Sequence, residues 1–338
     1  VLLNSPISAL EHVAAVVAHG DLDGLASAAV VIAAFRKSKG VYPKLLIAQP
    51  YILHRTLLRL LSAPPRLVVI TDVGVDEAVW PSVSRSIEEL VAKGAKILWI
   101  DHHIQTARAS LDLAELGVSL LYTSSGCASS IAREVFAPLT DDPSFYAKLA
   151  RLGEIADNTA VGDRELVFLT DRLVAALSAP SSKDEFKVQL VRMWVEEKKF
   201  INDEVAIKAE EFERALALKL AEIEQKIVFE GERGLLVDAR DIKLGGLAGH
   251  VTSRLARERG KVVIVVFSPN EREVVATCRV PPDADFNAVA ELTSIAADLG
   301  GGGGGLSKAA AVRVPSSSGE QLLKRLREAL MRGHQKAA

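Results

Sequence analysis

The chain has 338 residues, 49% of them apolar, and a formal net charge of −2; that is enough to bury more than one hydrophobic core, so two domains are expected, with a single large α/β domain as the alternative. The near-neutral charge argues against tight, unspecific binding of long nucleic acid, whose affinity comes from many Lys and Arg contacts to phosphate; a small phosphorylated substrate or a short oligonucleotide fits better. No run of about 18 uncharged apolar residues and no basic-then-apolar leader appears, which predicts a soluble, unexported, cytoplasmic protein with no membrane role, and Cys127 and Cys278 match no paired metal spacing and read as packed thiols of a reducing compartment.

The first half alternates β-branched runs with helical patterns. Strands are expected at Val13 to Ala18, Lys44 to Ala48, Leu67 to Thr71 and Ile97 to Asp101, with helices at Leu25 to Lys37, Ile52 to Leu61 and Ser82 to Lys93. This rhythm is that of βαβ units around a mostly parallel sheet. The runs Leu67–Ile70 and Ile97–Ile100 are apolar throughout, as strands covered on both faces must be. Sites in such sheets form beyond the carboxyl ends of the strands. From 181 to 230 the composition turns strongly charged and helical, with Phe212, Leu216, Leu220 and Ile223 at helical spacing; this predicts a connecting helix with one packed face, a homodimer helix being the alternative. A second α/β unit follows over 231–335. Its expected elements are a strand at Gly234 to Val237, a helix at Gly249 to Arg259, strands at Val262 to Phe267 and Glu273 to Arg279, and a helix at Asn287 to Leu299. Six glycines, Gly300 to Gly305, a strand near Ala311 to Val314 and a helix at Glu320 to Met331 complete it.

Potential ligands gather at the expected strand ends. The first strand runs into His19-Gly20-Asp21-Leu22-Asp23-Gly24, with glycines that permit a tight turn and close approach of backbone. The third ends in Asp72 and the fourth in Asp101-His102-His103. Asp157 closes an apolar helix, where a negative charge opposes the helix dipole and asks for a cation. Carboxylates converging in such number repel one another and raise their own pKa values. Two divalent cations would neutralise them, and oxygen donors with some imidazole suit manganese first and magnesium second, rather than a structural zinc. A bridging carboxylate would hold the pair about 3.5–4 Å apart.

Taken in order, His19 to Gly24, Asp72, Asp101-His102-His103 and Asp157 resemble the four motifs of the DHH phosphoesterase superfamily, which includes RecJ-type nucleases, nanoRNases and cyclic-dinucleotide phosphodiesterases. The resemblance implies His19, Asp21 and Asp72 on one metal, and Asp23, Asp72, His102 and Asp157 on the other, with Asp72 as the bridge. It also implies that the catalytic pair is His103, facing the substrate phosphate, and Asp101, supporting the metal-binding histidine. One spacing departs from the pattern: several relatives place the first His four residues before the first Asp, whereas His19 is two before Asp21.

The second unit resembles the associated DHHA1 module. Gly300 to Gly305 followed by Leu306-Ser307-Lys308-Ala309-Ala310-Ala311 is similar to the family's Gly-Gly-Gly-His-x-x-Ala-Ala-Gly, with Leu306 in place of the His and Ala311 in place of the last Gly. The expectation is a glycine loop whose Gly303, Gly304 and Gly305 let backbone N–H groups cradle an anion, assisted by Lys308 and by Arg279, which matches a basic position ahead of the loop and is suited to bidentate phosphate binding. His250 is a weaker candidate, and His12, His54 and His334 read as surface or packing residues. The implied activity is two-metal hydrolysis of a phosphodiester in short oligonucleotides, trimmed from one end in a cleft between the domains. The alternatives are a cyclic-dinucleotide or nucleoside-phosphate phosphatase, a pyrophosphatase, and a catalytically silent subunit of a DNA replication or repair complex.

Overall fold

The structure, a computed structural model, describes residues 14–40 and 42–332. Val13, His12 and His334 therefore lie outside the described residues. The chain divides into two compact units, Val1–Glu210 and Glu211–Ala338, with the division inside the helix Asp203–Glu224.

The first unit is built on five parallel strands, β1 (Ala14–Ala18), β2 (Lys44–Ile47), β3 (Leu67–Thr71), β4 (Lys96–Asp101) and β5 (Val118–Tyr122), in the order β2-β1-β3-β4-β5. Alternate residues of these strands face one core: Ala15 and Val17, Val68 and Ile70, and Ile97 and Trp99 pack with Leu53, Leu57, Val83, Ile87 and Leu90 of the helices Leu53–Leu58 and Trp80–Ala92. That is the two-residue period of an extended chain set against the 3.6-residue period of a helix. Trp99 is completely buried, and its indole N–H donates to the Val73 carbonyl at 3.0 Å, so the largest side chain of this core leaves no polar atom unsatisfied. The opposite face is covered by Leu22–Lys39, buried without interruption from Leu22 to Ala34. A helix this apolar all round must be enclosed; the helices Ala128–Val135, Pro143–Ala156 and Asp184–Glu196 enclose it.

Asp21 is the N-cap of Leu22–Lys39, its side chain accepting from Gly24 N, and Gly40 closes the helix in the left-handed region at φ +66°. Strand order reverses direction at β1, which has β2 on one side and β3 on the other. A crevice opens at such a switch point, beyond the carboxyl ends of β1 and β3. His19, Asp72 and Asp101 stand at or directly after the ends of β1, β3 and β4.

The second unit carries a mixed sheet in the order β10-β11-β9-β8-β7-β6: β6 (Ile227–Glu230), β7 (Gly234–Ala239), β8 (Val262–Asn270), β9 (Glu273–Arg279), β10 (Gly302–Leu306) and β11 (Ala309–Pro315). Among the described strands of this sheet only the β7–β8 pair is parallel. Helices Ala288–Asp298 and Gly319–Met331 bury Leu292, Ile295, Leu322 and Leu326 against it.

Two corrections to the sequence reading follow. The glycine run is not a loop: Gly302–Leu306 pairs antiparallel with β11, Gly303 opposite Val312 and Gly305 opposite Ala310. A Cβ on Gly303 would fall 2.3 Å from the Ala311 carbonyl oxygen and one on Gly305 2.3 Å from that of Ala309, while Gly302 and Gly304 have nothing within 4 Å. Close approach of two backbones selects glycine at the alternate positions. The second correction adds strand β5, which the sequence pattern leaves unassigned, and strand β6, which lies at the end of the stretch expected to be helical.

Candidate metal centre

Asp72 is the pivot. It follows β3 at φ +60°, in the left-handed region that few residues other than Gly, Asn and Asp adopt without cost, and its N–H donates to Ile100 O at 2.9 Å. This twist turns a carboxylate that is 3% exposed into the crevice. Its two oxygens face opposite ways: Oδ2 lies 3.5 Å from His19 Nδ1, and Oδ1 lies 3.3 Å from His102 Nε2.

On the first side His19 Nδ1 also sits 2.9 Å from Asp21 Oδ2, and the other ring nitrogen of His19 meets Gln49 Oε1 at 3.0 Å. On the second, His102 Nε2 is 3.9 Å from Asp23 Oδ2, and Nδ1 of the same ring is 3.8 Å from Asp157 Oδ2. Ligands at right angles around a six-coordinate cation with bonds of about 2.1 Å lie roughly 3 Å apart. The His19, Asp21 and Asp72 atoms are already near that spacing and the Asp23 contact is looser by under an ångström, whereas Asp157 lies against Nδ1, the other nitrogen of the His102 ring, and neither Asp23 nor Asp157 belongs to a compact donor group. Residues from four separated segments thus face one crevice. His19, Asp21 and Asp72 form one compact donor group, and Asp72, Asp101, His102 and His103 form another.

Asp23 is fixed from outside the crevice. Its oxygens accept from Ala128 N at 3.0 Å and Ser129 N at 2.7 Å, the first amides of the helix Ala128–Val135, and Ser129 Oγ donates back to the Asp23 carbonyl at 3.0 Å. A helix N-terminus holds an anion well. Asp101, fully buried, is committed to protein donors: Oδ1 accepts from His102 N at 2.8 Å and pairs with His103 Nδ1 at 2.7 Å, and Oδ2 accepts from the Thr106 hydroxyl. The ring it touches is that of His103; its hold on His102 is through the backbone. His103, 40% exposed on its side chain, then presents Nε2 outward.

Charge follows this geometry. Burial alone would keep His19 neutral, but the adjacent Asp21 and Asp72 carboxylates outweigh it and raise its pKa to about 11. Burial likewise disfavours the charged Asp21, yet His19 and the Gly24 amide hold its carboxyl below the usual range. Asp72 goes the other way: burial, then repulsion from Asp23 and Asp21, push it well above a normal carboxylate despite His19. Burial, opposed by His102 but joined by Asp23 and Asp21, pushes Asp157 up to about 6. The protein alone therefore keeps carboxylates together at the cost of protonating some and charging a histidine. Divalent cations would relieve that strain, and oxygen donors with imidazole fit manganese or magnesium.

In the second unit, Gly304 and Gly305 line a cavity of about 400 Å³ with Arg279, Ala248, Gly249 and Thr277. Gly303 is outside that lining, and Lys308 is tied back by a 2.5 Å bond from Nζ to the Ala284 carbonyl. Arg279 Nε donates to Ser253 Oγ at 3.1 Å and Nη1 to the Cys278 carbonyl at 2.9 Å; among the described residues no carboxylate pairs with it. His250 packs edge-on to Phe212, ring centroids 4.9 Å apart. Sequence reading missed Gln49, Thr106 and the Ala128–Ser129 amides. A Gln, a Thr and two main-chain amides carry no metal-ligand signature, and only the Ser-rich start of an amphipathic helix marked the last of them.

Residues 14–162 match the DHH family, N-terminal domain, and residues 235–332 match the DHHA1 domain. The chain joins a DHH-family N-terminal domain to a DHHA1 domain. The sequence matches no curated protein. Among solved structures, this DHH protein is similar to the exonuclease RecJ bound to manganese, at 17% identity, 97% coverage of this chain and 94% of that one, with a TM-score of 0.61. RecJ from Thermus thermophilus in complex with Mn²⁺ gives 17% identity and a TM-score of 0.65 over 97% of this chain, but the chain spans only 54% of that protein. The pGpG-specific phosphodiesterase PggH from Vibrio cholerae matches at 13% identity over 95% of this chain and 98% of its own, with a TM-score of 0.52. At these identities the likeness is one of fold. No helix among the described residues is long and apolar enough to cross a membrane.

Proposed function

We propose that this DHH protein is a phosphodiesterase that uses two divalent cations, manganese or magnesium, to hydrolyse short oligonucleotides from one end. The observation that carries the reading is Asp72, whose two carboxylate oxygens face two separate donor groups from a left-handed backbone conformation. His19, Asp21 and Asp72 would hold one cation, and Asp23, Asp72, His102 and Asp157 the other. Bound there, the cations would neutralise the carboxylates and supply the Lewis acidity and activated water that phosphoryl transfer requires.

The chain's own residues do the rest. Burial disfavours a charged His103, but its bond to Asp101 outweighs this and raises its pKa. The same bond favours the charged ring, in which Nδ1–H stays with Asp101 and Nε2–H would donate to a phosphate oxygen as charge grows. Asp101, held by the Thr106 hydroxyl and the His102 amide, fixes the tautomer and the aim of that ring. In the second unit, Arg279, with no carboxylate partner among the described residues, offers a guanidinium to a phosphate group in its own cavity, where Gly304 and Gly305 present no side chain.

The same residues would serve a dinucleotide such as pGpG, on which the Vibrio cholerae neighbour acts, so chain length rather than bond type separates the two versions. A silent structural subunit is disfavoured because no donor of the set is missing. The test is manganese-dependent release of mononucleotides from short oligonucleotides by the wild type and by Asp72→Ala. Loss of turnover in the variant, reproduced in wild type by a chelator, is expected; undiminished turnover removes the site.

A further inference from the structure

Among the described residues four acidic side chains are buried: Asp23, Asp72 and Asp101 belong to the crevice, and Glu154 is the fourth. Both of its oxygens are taken, Oε1 accepting from Arg133 Nε at 2.6 Å and Oε2 from Arg151 Nη1 at 2.7 Å. A desolvated carboxylate between two guanidiniums is a closed ion triad, strongly destabilising to break. The helices it fastens are those behind the outer carboxylates of the crevice. Arg133 lies in Ala128–Val135, whose first amides hold Asp23, whereas Arg151 and Glu154 lie in Pro143–Ala156, which Asp157 caps. One turn before Arg133 the two helices touch: a Cβ on Gly153 would fall 2.2 Å from Ser129 Oγ and 3.2 Å from Asp23 Cα. The bend that starts at Asp157 is strapped to the same triad. Thr159 donates to the Glu154 carbonyl from N at 2.9 Å and from Oγ1 at 3.1 Å, and Arg151 Nη2 donates to the Val161 carbonyl at 3.0 Å.

None of these bonds reaches His19, Asp21 or Asp72, which meet one another at the ends of β1 and β3. Asp23 and Asp157 instead stand 3.9 and 3.8 Å from the two nitrogens of the His102 ring. Whether these two carboxylates reach one ion depends on how their helices are held, since groups behind the ligands set ligand aim. We propose that the Arg133–Glu154–Arg151 triad fixes Asp23 and Asp157 relative to each other and so sets the affinity of the second cation, leaving the first unaffected. Arg133 and Glu154 are then positioning residues. The inference rests on the two-cation reading and deepens it.

The test is calorimetric titration of the full chain with manganese. Arg133→Met opens the triad on one side and leaves Glu154 paired with Arg151, so no buried charge is orphaned. Wild type should bind two ions. In Arg133→Met the Kd of one of them rises about 10- to 100-fold, the usual effect of losing a support behind a ligand, the other stays within about twofold, and Arg133→Lys recovers most of the loss. Two backgrounds identify the ion. With Asp21→Asn, which keeps the N-cap but disables the first donor group, Arg133→Met still weakens the ion that remains; with Asp157→Asn, which disables the second, it does not. A purely structural role would weaken both ions alike, and that result, or no change in either, overturns the proposal. Glu154→Gln is titrated in the same way, so that failure of one variant to fold leaves the other to decide. Wild type that binds fewer than two ions defeats the two-cation reading and the proposal with it, whereas two ions in wild type without the selective loss defeat the proposal alone.

Discussion

Replacing Asp72 by Asn separates what this residue costs the fold from what it gives the site. Asn has the same shape, tolerates φ +60° as Asp does, and keeps the amide bond to Ile100 O. The charge is what goes. In the metal-free protein that charge is unfavourable, because burial and the neighbouring Asp23 and Asp21 raise the carboxyl well above its usual pKa. Its removal should stabilise the metal-free protein by about 0.5–2 kcal/mol, the usual yield of relieving a strained functional site. At roughly 2–4 °C per kcal/mol, thermal melting moves up by a few degrees. Manganese reverses the order. At about 100 times its Kd a bound ion adds roughly 2.7 kcal/mol to the wild type, and the variant, lacking the carboxylate common to both donor groups, gains little. The assay is a pair of melting curves for each protein, with chelator and with manganese. Crossing of the two orders is expected. A variant that melts lower without metal, or that still rises with manganese as wild type does, refutes the reasoning.

Other predictions concern the neighbours of Asp72. Metal ligands must be deprotonated to bind, and in the metal-free protein His19 holds a proton up to about pH 11 and Asp157 up to about 6. Manganese binding at pH 7 should therefore release at least about one proton, read by calorimetry in buffers of different ionisation enthalpy, and affinity should climb steeply between about pH 5 and 7. The raised Asp157 pKa also means that metal-free stability is highest below its unfolded value and falls as pH rises through its folded one, the reverse of the manganese-bound protein. Gly74→Ala places a Cβ 2.9 Å from His103 Cγ; pushing that ring aside should cost at least about tenfold in kcat and about 1–3 kcal/mol of stability, with metal stoichiometry unchanged. Arg279→Leu removes a guanidinium bonded, among the described residues, to Ser253, Thr277 and the Cys278 carbonyl, so KM for an oligonucleotide should rise about tenfold or more while melting hardly moves.

The first sheet was legible because its strands are apolar on both faces and end abruptly in Asp and His; period and chemistry change at the same residue, as at Ile100-Asp101-His102. Strand β5 was not, since Val118–Tyr122 is only partly buried and its pattern matches a loop as well as a strand. The glycine run misleads for a related reason: propensity favours a loop there, and the pairing with β11 that overrides it depends on backbone approach that no composition reports. In the site, ligand types are visible in the sequence, but their supports are not. Thr106 and the Ala128–Ser129 amides act through positions set by the fold.

The two-cation claim is tested most directly by loading the protein with manganese, counting ions per chain after dialysis, and recording the electron paramagnetic resonance spectrum. Two ions per chain with an exchange-coupled signal, as expected of a pair about 3.5–4 Å apart, and collapse of that coupling in Asp72→Asn, are predicted. A single ion, or two ions giving independent signals that persist in Asp72→Asn, would contradict a centre joined through Asp72.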